Sequence, residues 1–215
     1  RLNGMNWVHR KKFTGVRHFI KAEFGNIKLS YVRRMADRIV YQSDFSRDWW
    51  NRVYGQLSTP QVTIHNGVDL GLFSPGEPNL PRDHYRILLV EGHLGGGYEQ
   101  GLITGIQLIR LLNQRMDKPV ELMVVGDVPK NLRLQAELMG EKITWCGVIK
   151  HELIPEIHRS AHLLFSADIN ASCPNSVIEA MACGLPVIGF ETGAMKELVT
   201  AEAGRIACYG GNVWN

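Results

Sequence analysis

Short apolar runs alternate with longer amphipathic segments along most of the chain. The runs are about four to eight residues long, as in strands that are buried on both faces of a sheet. The segment 99–116 is typical of the intervening helices, because apolar residues recur along it at helical spacing. Its predicted inner face consists of Leu102, Ile106, Ile109 and Leu112. Strands that alternate with helices predict an α/β fold with a Rossmann-like parallel sheet and right-handed crossovers.

This alternation extends from residue 85 to the end of the chain. The predicted strands are 86–91, 120–125, 143–148, 162–168, 187–190 and 205–208, and the other predicted helices are 132–139, 152–160 and 177–183. The chain therefore carries one large parallel sheet in residues 77–215.

A second set of elements precedes it, in residues 1–76. A helix is predicted at 27–36, with Leu29, Val32 and Met35 at helical spacing, and strands are predicted at 37–43 and 62–64. Residues 1–7 are predicted to contain the end of another strand that leads into a glycine turn.

The start and end of one more helix can be predicted from single residues. Ser43 or Asp44 is expected to cap its first turn, and Gly55 is expected to close it after Val53. The turn-rich stretch 65–76 then forms a connector to the large sheet.

Charge supports the division into two units. Residues 1–54 contain 12 Lys and Arg against 4 Asp and Glu, whereas the remainder contains 12 against 17, which together give the net charge of +3. The basic stretch 10–38 has three interpretations: a solvated surface, a peripheral contact with anionic lipid head groups, or a nucleic-acid contact. Nucleic acid is the least favoured, because no nucleic-acid-binding module accompanies the charge.

The cysteines and histidines indicate neither a disulfide framework nor a metal site. The four cysteines form no C-x-x-C pair, and the histidines at 65, 151, 158 and 162 lack ligand spacing. Cysteines inside predicted strands and helices suggest a reducing compartment, so we expect a cytoplasmic protein. The chain begins with Arg1 and carries no visible signal peptide, and we expect it to be a fragment or a processed product.

The richest candidate chemistry lies in the stretch 169–198, a strand–loop–helix–strand unit. The backbone amides of Asn175, Ser176 and Val177 open the predicted helix, where the helix dipole favours a phosphate. Glu179 lies one turn further and could accept hydrogen bonds from sugar hydroxyls. The local alternative is a capping box, in which Ser176 and Glu179 satisfy the helix start without any ligand.

A glycine-rich loop at 92–97 follows the first strand of the large sheet and precedes a helix. This context suits a phosphate cradle, because glycines let backbone amides approach a diphosphate closely. The candidate phosphate-binding residues of this loop are Gly92, His93, Gly95, Gly96 and Gly97. A loop that is merely mobile would show the same composition.

Two stretches of sequence resemble one known family. The segment PNSVIEAMACGLPVIGFETGAMKEL, at 174–198, and the ordered pair ADRIVYQSDFS and VTIHNGVDLGLFSP, at 36–46 and 62–75, are similar to retaining glycosyltransferases of GT-B fold, known as group 1 or family four. The resemblance implies that residues 77–215 form the nucleotide-sugar-binding donor domain. It also implies that residues 1–76 form the last part of a second, acceptor-side α/β domain.

The resemblance assigns roles to individual residues as well. Glu179 matches the second of the family's paired glutamates, which contacts the nucleotide ribose, and it is the candidate catalytic residue. The first glutamate of the pair falls on Ala171, where this chain has no carboxylate. Ile149 and Lys150 lie where the family reads the nucleotide base, although an exposed loop lysine needs no ligand.

Three further positions depart from the family pattern. His93 and Gln100 stand where the family has the Arg and Lys that pair with the donor diphosphate. A neutral His or Gln offers weaker, dipolar hydrogen bonds, so backbone amides would have to carry more of the phosphate binding. Asn3 stands where many members have a histidine on the acceptor side, or else it is simply a turn residue.

The implied function is the transfer of a sugar from a UDP- or GDP-sugar to an acceptor hydroxyl, with retention and without a metal or another cofactor. The acceptor would be a glycan, a lipid or a small molecule, and the site would lie in the cytoplasm or at the inner face of the membrane. The alternatives are a non-catalytic nucleotide-sugar-binding module, which Ala171, His93 and Gln100 would suit, a nucleotide-sugar epimerase, and an RNA or membrane adaptor.

Overall fold

The computed structural model describes residues 1–7 and 15–211 and contains two parallel sheets. The larger sheet has six strands: β3 Tyr85–His93, β4 Val120–Asp127, β5 Ile143–Gly147, β6 Leu163–Ser166, β7 Val187–Phe190 and β8 Gly204–Ala207. Their order across the sheet is β5–β4–β3–β6–β7–β8. All neighbouring pairs are parallel, which confirms the predicted fold class.

Helices cover both faces of this sheet. They are α3 Glu99–Asn113, α4 Lys130–Leu138, α5 Ile154–Arg159, α6 Asn175–Ala182 and the short α7 Met195–Leu198, and a 3₁₀ turn at His151–Leu153 precedes α5. On β3, Leu88 packs into a core with residues of α5 and α6, whereas Ile87 and Leu89 pack into a second core with residues of α3 and α4. Two buried faces explain why the strands read as continuous apolar runs.

The predicted inner face of α3 is confirmed. Leu102, Ile106 and Ile109 are fully buried, and Leu112 packs at the edge of the same core. The predicted helix 152–160 is instead the 3₁₀ turn followed by α5, which carries Pro155 in its first turn. The predicted strand 162–168 ends at Ser166, and α7 was not predicted.

The smaller sheet pairs β1 Ile39–Tyr41 with β2 Gln61–Thr63 in parallel, and Leu2 forms a single bridge to Tyr41. Helix α2, Asp44–Tyr54, packs against it. Ser43 caps α2 by accepting a hydrogen bond from the Ser46 amide, and Gly55 ends it with φ of 82°. Both ends of this helix are therefore as predicted. The division into domains at residues 76 and 77 stays a prediction.

Helix α1, Val16–Met35, differs from the prediction in length and in orientation. The predicted helix covered 27–36 only, and its presumed inner residues Leu29, Val32 and Met35 are 37%, 53% and 84% exposed. The buried face is polar instead, and it contains Ala22, Asn26, Ser30 and Arg33.

The reason for this orientation is a set of polar partners on the neighbouring elements. Arg33 is buried, and its guanidinium donates to the Tyr41 hydroxyl at 2.8 Å, to Asn51 and to the Gly55 carbonyl at 2.7 Å. Hydrophobic spacing predicts a helix, but it cannot reveal that the facing surface offers hydrogen-bond acceptors. As a result, one side of α1 exposes an apolar stripe, which consists of Val16, Ile20, Phe24, Ile27, Tyr31 and Met35.

Two further features concern membranes and metals. Over the part of the chain that the structure describes, none of the helices has the length and hydropathy needed to cross a bilayer. Within the same residues, His, Cys, Asp and Glu side chains nowhere gather in a group of three or more that could hold a metal ion.

Candidate functional site

The strand order places a crevice at the carboxyl ends of β3 and β6. From β3 the chain moves outward in one direction to β4 and β5, and from β6 it moves in the opposite direction to β7 and β8. Parallel α/β sheets bind ligands at such a switch point, because the loops on either side diverge there. The loop 92–98 follows β3, and the loop 167–174 follows β6 and leads into α6. Both predicted phosphate-binding segments thus flank the same switch point.

The start of α6 lacks a side-chain cap within residues 1–7 and 15–211. The residue at its N-cap position is Pro174, in an extended conformation, and the ring of a proline cannot accept a hydrogen bond. Ile178 is the first residue of α6 whose amide reaches a carbonyl, that of Pro174 at 3.3 Å. Among the described residues, none accepts a hydrogen bond from the amides of Asn175, Ser176 or Val177. Three amides at the positive end of a helix dipole can bind an anion.

The capping-box interpretation is therefore wrong. Ser176 lies inside α6 and not at its N-cap position, so its hydroxyl cannot take the role that the box requires. The carboxylate of Glu179 bonds elsewhere, with its Oε1 atom 3.0 Å from Nε2 of His151. The Glu179 side chain is 14% exposed at the mouth of the crevice. Glu179 thus remains available for a ligand hydroxyl.

Several polar groups of the glycine loop already have hydrogen-bond partners within the protein. Nδ1 of His93 lies 2.8 Å from Oδ2 of Asp127 at the end of β4, and the Gly97 amide donates to Oε1 of Glu99 at 2.9 Å. The Leu94 amide donates to the Asp127 carbonyl, which ties the loop to β4. A carboxylate already occupies one amide that a phosphate was expected to use.

The remaining predicted residues lie around the same crevice. Gly92 is exposed with open space around its Cα, Gly95 is buried beside Pro129, and Gly96 has φ of 65°. Ile149 packs at the edge of a core, and Lys150 is exposed directly before the 3₁₀ turn.

The structure also shows the surroundings of Ala171 and Asn3, the two positions that the resemblance compares with a glutamate and a histidine. Ala171 is buried, and its carbonyl accepts a hydrogen bond from the Ala194 amide at 2.9 Å. The Asn3 carbonyl accepts a hydrogen bond from the Trp50 indole at 2.8 Å. Gly4 lies against Ser172, so the start of the chain approaches the loop before α6.

An acidic group at the switch point was missed by the sequence interpretation. Burial and the nearby Asp168 carboxylate raise the pKa of Glu91 to about 8. Burial also raises the pKa of Asp168, whose Oδ1 accepts a hydrogen bond from the Asn170 amide, and the pKa of Tyr98. The only signal in the sequence was that Glu91 and Asp168 end two apolar runs. A carboxyl group with a pKa of about 8 is mostly protonated at neutral pH, so Glu91 adds little negative charge at the end of β3.

The connector and α7 join the two sheets. The side-chain nitrogen of Asn66 donates to the Cys173 carbonyl at 3.1 Å and to Oδ1 of Asn175 at 2.7 Å. The Glu197 carboxylate accepts hydrogen bonds from the amides of Asp44 and Phe45 at 2.8 and 2.7 Å, at the start of α2. His65 lies 3.1 Å from the same carboxylate. These contacts span more than a hundred residues and have no local signature in the sequence.

The family of the chain follows from comparison with known proteins. Residues 86–213 match the family described as glycosyl transferases group 1. The match covers more than half of the chain, and the chain belongs to this family.

Two curated relatives illustrate the similarity. The GDP-mannose-dependent alpha-(1-6)-phosphatidylinositol dimannoside mannosyltransferase of Mycobacterium tuberculosis is 31% identical over 185 residues, covering 80% of this chain and 45% of the relative. The D-inositol 3-phosphate glycosyltransferase 1 of Catenulispora acidiphila is 27% identical over 194 residues, with the same coverage of 80% and 45%. The chain thus spans about half the length of the curated relatives that it matches.

Solved structures agree with the fold. Anabaena HepE in complex with UDP-glucose superposes with a TM-score of 0.69 at 19% identity, covering 93% of this chain and 57% of that one. Sucrose-phosphate synthase from Thermosynechococcus elongatus gives a TM-score of 0.67 at 21% identity, covering 88% and 49%. The six-stranded parallel sheet is that of the GT-B glycosyltransferases.

Proposed function

We propose that the chain is part of a retaining glycosyltransferase that transfers a sugar from a UDP- or GDP-sugar to an acceptor hydroxyl. The observation that carries this proposal is the uncapped start of α6 beside the Glu179 carboxylate at the switch point. One feature suits a diphosphate and the other suits the sugar hydroxyls of a nucleotide. Both belong to the stretch that resembles the family's signature.

In this proposal the amides of Asn175, Ser176 and Val177 bind the donor diphosphate, and Glu179 accepts hydrogen bonds from the ribose. Ile149 and Lys150 lie against the base. As the bond between the anomeric carbon and the diphosphate breaks, negative charge grows on the leaving oxygen. Fixed amide dipoles stabilise such charge without reorganisation. The acceptor hydroxyl attacks the same face of the sugar, and no divalent metal is required.

The glycine loop has a smaller part in binding than its composition suggested. His93 is paired with Asp127, and Glu99 holds the Gly97 amide. The backbone of Gly92, Gly95 and Gly96 remains to contact the diphosphate. The α6 amides therefore supply most of the binding energy for the leaving group.

The relatives named above are transferases, which does not favour an epimerase or a non-catalytic binding module. The M. tuberculosis relative is described as GDP-mannose-dependent and acts on a phosphatidylinositol dimannoside. For the present chain we propose a glycan, a lipid or a small polyhydroxylated molecule as the acceptor.

We also propose a peripheral contact with an anionic membrane surface, made by the part of the basic stretch that lies on α1. The apolar stripe of α1 is exposed, and Arg17, Lys21, Lys28 and Arg34 are exposed on the same helix. Apolar side chains next to cations suit the boundary between lipid head groups and acyl chains. Residues 10–14 of the predicted stretch lie outside the described residues.

Sedimentation with vesicles tests the membrane contact. Binding to phosphatidylserine-containing vesicles should exceed binding to pure phosphatidylcholine vesicles, and the double variant Ile20→Ser, Phe24→Ser should weaken it. Equal binding to both vesicle types, or no effect of the double variant, would exclude this contact.

A thermal-shift panel of UDP, GDP, ADP and their sugars tests donor binding, because a ligand of the native state raises the apparent stability. We expect one nucleotide family to raise the melting temperature in a concentration-dependent way. Glu179→Ala should abolish most of the shift, whereas Glu152→Ala, a change of a nearby exposed carboxylate, should leave it unchanged. A chain that responds to none of these nucleotides would contradict the proposed function.

A further inference from the structure

The candidate ribose-binding carboxylate of Glu179 pairs with the side chain of His151. Its Nε2 atom lies 3.0 Å from Oε1 of Glu179, although the two residues are 28 positions apart in the chain. The Glu179 side chain is 14% exposed and the His151 side chain 61% exposed. The pair therefore lies at the protein surface, with the histidine on the solvent side.

The imidazole ring of His151 is fixed from two directions. It packs against the ring of Phe73, with centroids 5.1 Å apart and planes inclined at 54°. Phe73 is 1% exposed and belongs to the connector between the two sheets. The backbone of His151 opens a 3₁₀ turn, which the Leu153 amide closes by donating to the Lys150 carbonyl. The ring contact and the turn together place Nε2 of His151 beside Glu179.

The arrangement leaves free acceptor capacity on Glu179. A carboxylate has two oxygens and about four lone-pair directions, and a single N–H donor at Oε1 uses one of them. Within the described residues, no other side chain bonds to this carboxylate. A ribose presents two adjacent hydroxyl donors, which match the remaining lone pairs.

We propose that His151 is a positioning residue for the donor nucleotide: its Nε2–H group holds Oε1 of Glu179, so that the carboxylate faces the two ribose hydroxyls. This inference rests on the proposed function, because it requires a nucleotide at this site. Without the histidine, the glutamate side chain would have to give up rotamer freedom each time a nucleotide binds. The effect of His151 should therefore depend on the hydroxyls of the ligand.

The test compares two variants and two kinds of ligand by isothermal titration calorimetry. His151→Phe keeps a ring against Phe73 but removes the N–H donor, and His151→Gln offers an amide N–H in place of the imidazole. The ligands are UDP or GDP, whichever binds the wild-type chain, and its 2′,3′-dideoxy analogue. His151→Phe should weaken the ribonucleotide about tenfold and change the dideoxy analogue less than twofold. His151→Gln should recover at least half of the lost affinity on a logarithmic scale.

Each other outcome decides against a stated part of the argument. An equal loss for both ligands would reduce His151 to a packing residue, as would a His151→Gln variant no better than His151→Phe. A wild-type chain that binds the ribonucleotide and the dideoxy analogue equally well would remove Glu179 from the ribose site, and His151 with it, while nucleotide binding stands. A wild-type chain that binds neither nucleotide would overturn the proposed function and this inference together. Glu152→Ala serves as the control and should change neither affinity.

Discussion

The glycine loop after β3 and the start of α6 flank the same crevice, yet they differ in how their polar groups are satisfied. In the loop, Asp127 pairs with His93 and Glu99 binds the Gly97 amide. At α6, three amides face outward without a protein acceptor among the described residues. In the glycine loop, carboxylates of the protein occupy polar groups that a phosphate could use, whereas the amides at the start of α6 remain free to bind an anion. Both segments were predicted to bind phosphate from their sequences, but the structure favours the start of α6.

The largest expected effect concerns the backbone beneath the loop. Gly126 has φ of 136°, and a Cβ atom there would lie 1.7 Å from the Glu91 carbonyl oxygen. Gly126→Ala should lower the free energy of unfolding by about 4 kcal/mol or prevent folding, because strain and overlap add. Gly92→Ala is the matched control, since a Cβ at Gly92 meets nothing within 4 Å. Urea unfolding curves of both variants measure the difference, and equal stabilities would disprove the close approach of β3 and β4.

The second effect is the pH dependence of the free energy of unfolding, to which one buried titratable group near each region contributes. Burial lowers the pKa of His158, beneath α6, to about 4. Between about pH 4 and about pH 6.5, His158 is protonated in the unfolded chain but not in the folded chain. The free energy of unfolding therefore falls as the pH falls. We expect a loss of about 2 kcal/mol between pH 7 and pH 5 from this group. His158→Met should remove this loss from the pH dependence of the free energy of unfolding.

Glu91, beneath the loop, should act in the opposite direction. Its pKa is raised from 4.5 to about 8, so the unfolded chain releases a proton that the folded chain retains. Stability should therefore decrease as the pH rises from about 4.5 to about 8. Glu91→Gln should remove this decrease, and it should steepen the fall of stability towards low pH, because the titration windows of Glu91 and His158 overlap between about pH 4.5 and about pH 6.5. Urea unfolding at several pH values measures these slopes, and a Glu91→Gln variant whose stability still decreases between about pH 6.5 and about pH 8 would contradict the assignment.

The third effect addresses the open helix start. Ser176→Asp places a carboxylate in the first turn of α6, where it would repel the donor diphosphate and occupy the free amides. We expect the affinity for UDP or GDP to fall at least tenfold, or about 1.4 kcal/mol. Ser176→Asn changes the side chain with no added charge and should lose less than threefold. Calorimetric titration distinguishes the two, and equal affinities would show that the diphosphate binds elsewhere.

The smallest effect concerns the closed loop. Glu99→Gln removes a negative charge beside the crevice and weakens the bond that holds the Gly97 amide. We expect nucleotide affinity to increase two- to threefold, less than about 1 kcal/mol, because solvent screens the charge of a partly exposed carboxylate. The variant should also lose a few tenths of a kcal/mol in stability, since acidic residues favour a helix start. A marked loss of affinity would mean that Glu99 shapes the loop for the ligand.

The sequence predicted those features that depend on neighbours along the chain. The inner face of α3 followed from the spacing of Leu102, Ile106 and Ile109, and the ends of α2 followed from Ser43 and Gly55. Each of these depends on residues only a turn or two apart. The α/β fold followed because alternating strands and helices leave few other arrangements.

What the sequence could not predict depends on distant residues. The pairing of His93 with Asp127 requires the register of β3 and β4, and the pairing of His151 with Glu179 requires the packing of the 3₁₀ turn against α6. The capping box at Ser176 failed because Pro174 took the N-cap position and Glu179 found a partner elsewhere. The inner face of α1 failed for a similar reason, since Arg33 binds acceptors that belong to other elements. Local sequence patterns thus identify candidate caps and buried faces, and the tertiary contacts determine which of them form.

Asn66 gives the crevice one more property. Its side-chain oxygen accepts hydrogen bonds from Arg1 at 2.6 Å and Gln42 at 3.0 Å, while its side-chain nitrogen donates to Cys173 and Asn175. The Asn66 side chain therefore contacts the region of the small sheet through its oxygen and the start of α6 through its nitrogen. A change in the angle between the two sheets would have to break hydrogen bonds on one side of Asn66, so this side chain couples the small sheet to the start of α6.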